Sequence, residues 1–509
     1  MAEYIMLQGT SSHVGKSVLA AALCRIFLQE GKSVVPFKAQ NMALNSYVTA
    51  DGREMGRAQV AQAEAAGLEP AVDMNPVLLK PTGNSCSQVI IDGLSVGNMS
   101  AKEYHNGYAL KAFSAVQNAL SRLTTAYDTL VIEGAGSPAE VNLKTYDIVN
   151  MRVAKYLHAP VLLVADVDRG GSLAALVGTL ALLEEDERAL VKGLIVNKFR
   201  GDVSLFAPAV DFLEKKTGKP VLGVIPYIEN LNIDDEDSVS LEDKPADGLD
   251  GDLDIAVIRL PKISNFTDFD SLQGEGDVSL RYVREAAELG RPDVVILPGS
   301  KNTIEDMAWL RNSGMASALY RVLEAGVPVV GICGGYQMLG RYIYDPEHTE
   351  SSTEGIRGLD LLPIETTFTA GKTLAQVKGE CRGLPFLGQM LSAEGLEGYE
   401  IHMGHTADAE AGQLHPIVVT ERSRQSCHVV HGTARRDGLV WGTYMHGVFD
   451  NDAFRRDFLN CLRQQKGLQP LAARRNFRAE KQKSYDRLAA VVRAHLDMDT
   501  LRRIMAGRD

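Results

Sequence analysis

A chain of 509 residues exceeds one ordinary domain, so two or three are expected. Hydrophobic residues at 45% and charged residues at 23% describe an ordinary globular protein, and a net charge of -12 argues against non-specific binding to nucleic acid or anionic membrane. Six scattered cysteines without a C-x-x-C pair argue against a zinc site or disulfide framework; the start Met1-Ala2-Glu3-Tyr4 has no basic n-region and no apolar run is long enough to span a bilayer, so a cytoplasmic protein is expected.

In chain order, Tyr4 to Gln8 reads as a short buried strand and Val18 to Gln29 as a helix, with Gly9-Thr10-Ser11-Ser12-His13-Val14-Gly15-Lys16-Ser17 between them. Strand, glycine-bounded loop and helix is the context in which backbone N–H groups cradle phosphates. Gly9, Thr10 and Gly15 shape that loop, Lys16 is placed to neutralise β/γ oxygens, and Ser17 to reach Mg²⁺. Five residues separate Gly9 from Gly15, one more than the standard pattern. Val34 to Phe37 is a second strand, ending in Lys38-Ala39-Gln40-Asn41-Met42, and polar groups at such an end meet a ligand in an open α/β sheet. Asn45, Asp51 and Glu54 follow, with Asp51 and Glu54 placed to be metal-proximal, and Gln59, Gln62 and Glu64 of the next helix read either as functional or as simply solvated. Thr129 to Ile132 is a strand closing on Glu133-Gly134-Ala135-Gly136, which puts an acid beside the phosphate loop as a Mg²⁺ ligand or its neighbour; the bland alternative is a turn cap. Asp147 lies in a polar loop placed to face substrate. Strands at Pro160 to Ala165, Gly193 to Val196 and Val221 to Ile225 complete a mainly parallel sheet flanked by helices, and Asn197-Lys198 stands where P-loop proteins commonly contact the base.

The acidic run from Asn232 to Asp252 reads as a solvated linker, placing a boundary between domains 1–248 and 249–509. A second α/β series follows. Ile263-Ser264-Asn265-Phe266-Thr267-Asp268-Phe269-Asp270 is polar and aromatic, as a ligand-facing loop is. The strand at Asp293 to Leu297 opens into Pro298-Gly299-Ser300, a turn able to supply oxyanion N–H groups. Val327 to Ile332 is a strand that stops at Cys333, with Gly334-Gly335 next and an amphipathic run to Tyr344. A G-x-C-x-G elbow suits a nucleophile in a strained turn, with Gly334 offering an oxyanion N–H; the alternative is a buried structural cysteine. His446 ends a buried strand beside Gly447 and is best placed as its base, while His402 and His405 are placed to line the pocket. The stretch from Asp450 to Asp509 reads as a helical tail of the second domain.

The second half resembles class I glutamine amidotransferases through Leu297-Pro298-Gly299-Ser300, Gly331-Ile332-Cys333-Gly334-Gly335-Tyr336-Gln337 and Tyr444-Met445-His446-Gly447. Val448 stands where that family's usual glutamate would be, so a Cys333–His446 dyad is expected and what orients His446 is left open. The first half resembles dethiobiotin synthetase-like enzymes through the long loop, Lys38, Glu133-Gly134-Ala135-Gly136 and Asn197-Lys198. The two in this order, with Lys38-Ala39-Gln40-Asn41-Met42-Ala43-Leu44-Asn45, Met74 to Pro81 and Gly398-Tyr399-Glu400-Ile401-His402, resemble the cobyric acid synthase family over essentially the whole chain. The resemblance implies a carbon–nitrogen ligase that uses ATP, Mg²⁺ and glutamine to amidate the b, d, e and g carboxylates of a corrinoid, with no tightly bound organic cofactor. It implies ATP contacts from Gly9, Thr10, Gly15, Lys16, Ser17, Lys38 and Asn197, metal contacts from Ser17, Glu133 and Asp51, and substrate contacts from Asn41, Asn45, Glu54 and Asp147. Gly299, Gly334 and His402 are expected around glutamine. Two rivals are the related a,c-diamide synthases and a P-loop partitioning ATPase, the latter lacking any use for Cys333 and His446.

Overall fold

The apolar runs expected as strands lie side by side in two mainly parallel sheets. The computed structural model describes residues 2–83, 86–229, 231, 233–234, 251–473 and 475–508. In the first sheet the strands Glu3–Gly9, Val34–Phe37, Thr129–Glu133, Val161–Asp166, Val191–Phe199 and Val221–Pro226 are all parallel, with Glu3–Gly9 central between Val161–Asp166 and Thr129–Glu133. They read as continuous apolar runs because helices cover both faces. Their C-terminal ends bring the phosphate loop, Lys38 and Glu133 together.

The second sheet runs Val278–Val283, Leu253–Ile258, Val294–Leu297, Val329–Ile332 and Val440–Thr443, parallel throughout, with Thr433–Ala434 antiparallel at its edge. Cys333 and His446 leave neighbouring strands, because Val329–Ile332 pairs directly with Val440–Thr443. Between these strands the chain builds a third sheet around a long hairpin, Ile364–Phe386 against Gln389–Asp408. The helix after Cys333 is short, Gly334–Met338, and Tyr342–Tyr344, expected as its continuation, is instead a strand of this third sheet.

The C-terminal stretch does not follow the domain that precedes it. Helices Phe477–His495 and Met498–Met505 seat Tyr485, Leu488, Val492, Leu501 and Ile504 in one apolar cluster with Ile5, Leu7, Leu23 and Phe27 of the first domain. Asp497 N–H donates to Leu222 O at 2.7 Å, tying the tail to the first sheet's edge. The expected boundary at 248/249 lies outside the described residues, as do residues 235–250 of the acidic run. Asp234 is no solvated linker residue: it is buried between Arg57 Nε at 2.6 Å and Lys481 Nζ at 2.9 Å, two cations that offset its desolvation.

The two halves are joined by a buried ion cluster. Glu54 accepts from Lys80 Nζ at 2.9 Å and from Lys372 of the long hairpin. Burial pushes the Glu54 carboxyl up, but the two ammonium groups outweigh it and hold it well below the usual carboxylate range. Glu54→Ala leaves two buried lysines without their shared anion and is expected to cost about 3–5 kcal/mol, read as a lower melting temperature at neutral pH. Because the folded-state pKa is depressed, this contribution is fully present above the ordinary glutamate range and is lost as pH falls from there through the depressed folded-state value.

Candidate active sites

The first site is organised on Glu133. One carboxylate oxygen accepts from Ser17 Oγ and from Lys38 Nζ, both at 2.8 Å; the other accepts from Gln62 Nε2 at 2.6 Å and faces Gln59 Nε2 at 3.4 Å. Glu133, Gln59 and Gln62 are fully buried, so the acid is locked in place by four donors. Gly15 caps the following helix, Lys16–Gln29, at φ 94, a left-handed conformation that favours glycine. A Cβ there would also lie 2.2 Å from Asn197 Nδ2. Thr10 N–H bonds Val164 O at 2.9 Å, and Lys16 Nζ curls back to Ser11 O at 3.0 Å and Gly136 O at 3.3 Å.

Beside this loop lies a cavity of about 400 Å³ whose lining includes Lys16, Lys38, Asn41, Gly136, Tyr104 and Asp147. Asn41 donates to Gln59 Oε1 at 3.1 Å, and Asp147 accepts from the N–H groups of Val149 and Asn150 at 3.0 Å. Burial pushes the Asp147 carboxyl upward against those bonds.

Five further residues of the sequence reading make contacts of their own. Asn197 Nδ2 donates to Val14 O at 2.8 Å, and Lys198 Nζ to His13 O at 2.6 Å, so this pair holds the loop's carbonyls in place. Asp51 bonds Thr49 Oγ1, pairs with Arg53 at 3.4 Å and lines a separate groove with Arg122 and Arg424, so the Ser17–Glu133 pair is built without it. Glu54 is committed to the inter-domain ion cluster, not to the cavity. Asn45 is fully buried in the segment between the two sites, where its carbonyl accepts from Arg57 N–H at 3.2 Å.

The second site is organised on the elbow. Cys333 has φ 52 and ψ -111, a strained conformation for a residue with a side chain. The elbow closes only because its neighbours are glycines: a Cβ on Gly335 would lie 2.0 Å from Leu297 O, one on Gly331 2.7 Å from Tyr336 N, and one on Gly334 2.9 Å from Ser300 N. Gly299 packs less tightly, its Cβ position being 3.1 Å from Ser264 O and 3.3 Å from His446 Cε1. These contacts set the Ser300 and Gly334 backbone beside the thiol, where a developing oxyanion would be met. Lys80, Lys301, Lys372, Glu350 and His402 line the small cavity that Cys333 opens into, Lys80 coming from the first domain. His402 stacks on Tyr444 with ring centroids 3.7 Å apart, and burial pushes its pKa down to about 4, so it is neutral near pH 7.

The orienter of His446 is Asp268. Its Oδ2 lies 2.7 Å from His446 Nδ1, and its Oδ1 accepts from Gly447 N–H at 3.0 Å. Asp268 and His446 are 4% and 0% exposed, so the pair is shielded from water. Burial alone pushes the imidazole pKa down; Asp268 and the Cys333 sulfur beside it outweigh that and lift it to about 10. The expected dyad is therefore a triad-like set, Cys333–His446–Asp268, with the acid arriving from an earlier loop. The segment holding Asp268 was legible as polar and aromatic, but 178 residues separate it from His446 and no spacing rule links them.

Comparisons with known proteins agree with both halves. Residues 5–241 match the CobQ/CobB/MinD/ParA nucleotide binding domain, and residues 254–454 match the CobB/CobQ-like glutamine amidotransferase domain. A cobyric acid synthase of Pelotomaculum thermopropionicum is 55% identical over 507 residues, covering 98% of this chain and 96% of that protein. One of Moorella thermoacetica is 54% identical, covering 99% and 98%, and one of Dehalococcoides mccartyi is 50% identical, covering 99% of each. With both domains matched in order and half or more of all positions shared from end to end, the chain belongs to the cobyric acid synthase family.

Proposed function

We propose that this chain amidates the b, d, e and g carboxylates of adenosylcobyrinic acid a,c-diamide in turn, giving adenosylcobyric acid, with ATP consumed at the first site and glutamine at the second. The observation that carries this reading is the presence in one chain of a phosphate loop centred on Glu133 and a Cys333–His446–Asp268 set, with Lys80 of the first half lining the Cys333 cavity.

A carboxylate is a poor acyl donor to ammonia. At the first site its oxygen attacks the γ-phosphorus of ATP, the bond to ADP breaks, and an acyl phosphate forms. Lys16 and the loop N–H groups face the charge on the transferring group. Ser17 Oγ and Glu133 Oε1, 2.8 Å apart, are hard oxygen donors that fit Mg²⁺. Bound there, the cation would supply charge neutralisation at the phosphates. Among the described residues no cluster of three or more His, Cys, Asp or Glu forms a cage, in keeping with a cation shared with phosphate and water.

At the second site the Cys333 thiolate attacks the glutamine side-chain amide. Imidazolium His446 gives its proton to the leaving nitrogen, ammonia departs, and a glutamyl thioester remains. His446 then takes a proton from water, which hydrolyses the thioester to glutamate and restores the thiolate. Ammonia displaces phosphate from the acyl phosphate, completing the amide. Transfer within the protein keeps ammonia from being protonated in bulk water.

Purified protein with adenosylcobyrinic acid a,c-diamide, ATP, Mg²⁺ and glutamine is expected to give four successive carboxylate-to-amide mass steps. An unchanged mass spectrum overturns the assignment. Conversion of cobyrinic acid at the a and c positions instead would place the chain with the a,c-diamide synthases.

A further inference from the structure

The strand Ser46–Val48 belongs to the first domain, yet it touches the second domain's imidazole environment on two sides. Ser46 N–H donates to Asn265 Oδ1 at 3.0 Å, and Asn265 Nδ2 stands 3.5 Å from His446 Nε2. Tyr47 packs on Tyr399 with centroids 5.4 Å apart, and Tyr399 in turn stacks on His446 at 5.0 Å and 14°. Ser46, Asn265 and His446 are all buried, so these contacts are made without solvent. Lys80 fixes the strand from another direction, its Nζ donating to Ser46 Oγ at 2.9 Å.

Upstream, the same segment forms a wall of the phosphate-loop cavity. Asn41 and Met42 line that cavity, and Asn41 reaches Glu133 through Gln59. Residues 43–45 are all that separates Met42 from Ser46. The route from one site to the other is thus a few residues of chain, with Ala43, Asn45 and Ser46 buried and Leu44 half-buried.

We propose that Ser46–Val48 is a relay and Asn265 a positioning residue, through which occupancy of the phosphate-loop cavity sets the readiness of His446 to serve Cys333. This rests on the two-site reading above. Nδ1 of His446 is taken by Asp268, so Nε2 is the nitrogen left for the thiol. Once His446 has given its proton to the departing ammonia, an Asn265 amide hydrogen near Nε2 competes with water for the lone pair that must be reprotonated to free Cys333. Hydrogen bonds weaken steeply with distance and angle, so a small displacement of Ser46 changes that competition. A ligand that holds Asn41 and Met42 differently moves Ser46 through the connecting residues, and glutamine is then hydrolysed in step with carboxylate activation. Static interface packing would give the same contacts but no response to ligand.

The test uses the full chain and two variants. Ser46→Pro removes the one N–H that reaches Asn265, at the first residue of a strand, where proline is tolerated. Asn265→Gly removes the other partner and suits the residue's φ of 52. Glutaminase rate is measured with and without ATP plus adenosylcobyrinic acid a,c-diamide, together with glutamate released per ADP formed. In the wild type the ligands are expected to raise the rate by about 5- to 150-fold, the usual range of a coupling between sites. In each variant that rise collapses and glutamate per ADP climbs, and the double variant behaves like the singles because they break one path. The relay is overturned if wild-type glutaminase ignores the ligands, or if the variants slow it while ligand response and stoichiometry stay intact. If the wild type makes no amide even with ammonia supplied, the two-site reading itself fails.

Discussion

Cys333→Ala is expected to abolish glutamine-dependent amidation while leaving amidation from added ammonium salts in place. The thiol supplies the bond that captures the glutamyl group; of the hydroxyls that also line its cavity, Ser300 donates to Asp306 and Thr303 to Gln337 rather than to His446, and His402 is neutral. Removing the nucleophile of such a set costs more than about 10⁴-fold in turnover. The first site needs only ammonia, so product formation from ammonia and ATP measures whether the fold survives. Alanine also relieves little of the elbow's strain, because φ 52 disfavours any residue with a Cβ, and the variant should remain folded. Glutamine-dependent activity retained in full by Cys333→Ala would remove the elbow from the chemistry.

Asp268→Asn is expected to cost roughly 10³–10⁴-fold in glutaminase rate, again sparing the ammonia-dependent reaction. An amide in place of the carboxylate can keep the shape of the contact at Gly447 but no longer stabilises imidazolium at His446. The sign of the pH effect follows from the raised imidazole. With Asp268 present, His446 keeps its proton up to about pH 10, and with it the proton donor for departing ammonia. With asparagine the proton is lost at lower pH, so the alkaline limb of the glutaminase profile moves down. Rates from pH 6 to 10 in both proteins check this. An unchanged profile would mean that the Asp268–His446 contact is only structural.

Ser17, Lys38 and Glu133 are scattered in the sequence and meet only because the three strands that lead to them lie side by side and end on the same side of the first sheet. The same holds for Cys333 and His446, whose strands pair directly. This is why strand ends were informative: a parallel sheet collects its strand ends at one side, so polar residues there converge whatever their spacing.

The two α/β series and the phosphate loop were legible in the sequence, which also offered the glycine-cradled Cys333 and His446 as a candidate pair. Each rests on local rules: apolar runs, glycines where a Cβ will not fit, and polar residues at strand ends. Only the tertiary structure decided what depends on contacts between distant segments. Asp268 orients His446 from far upstream. Glu54 and Asp234, read as substrate-proximal and as linker, are buried anions each held between two cations drawn from different parts of the chain. Asn197, expected at the base, also donates to Val14 O and so steadies the loop. The last helices return to the first domain because the apolar face of the Lys16–Gln29 helix and the sheet edge at Leu222 are there to be covered. A charged residue's partner and an amphipathic helix's resting place are set by what the fold brings near, and no local pattern encodes that.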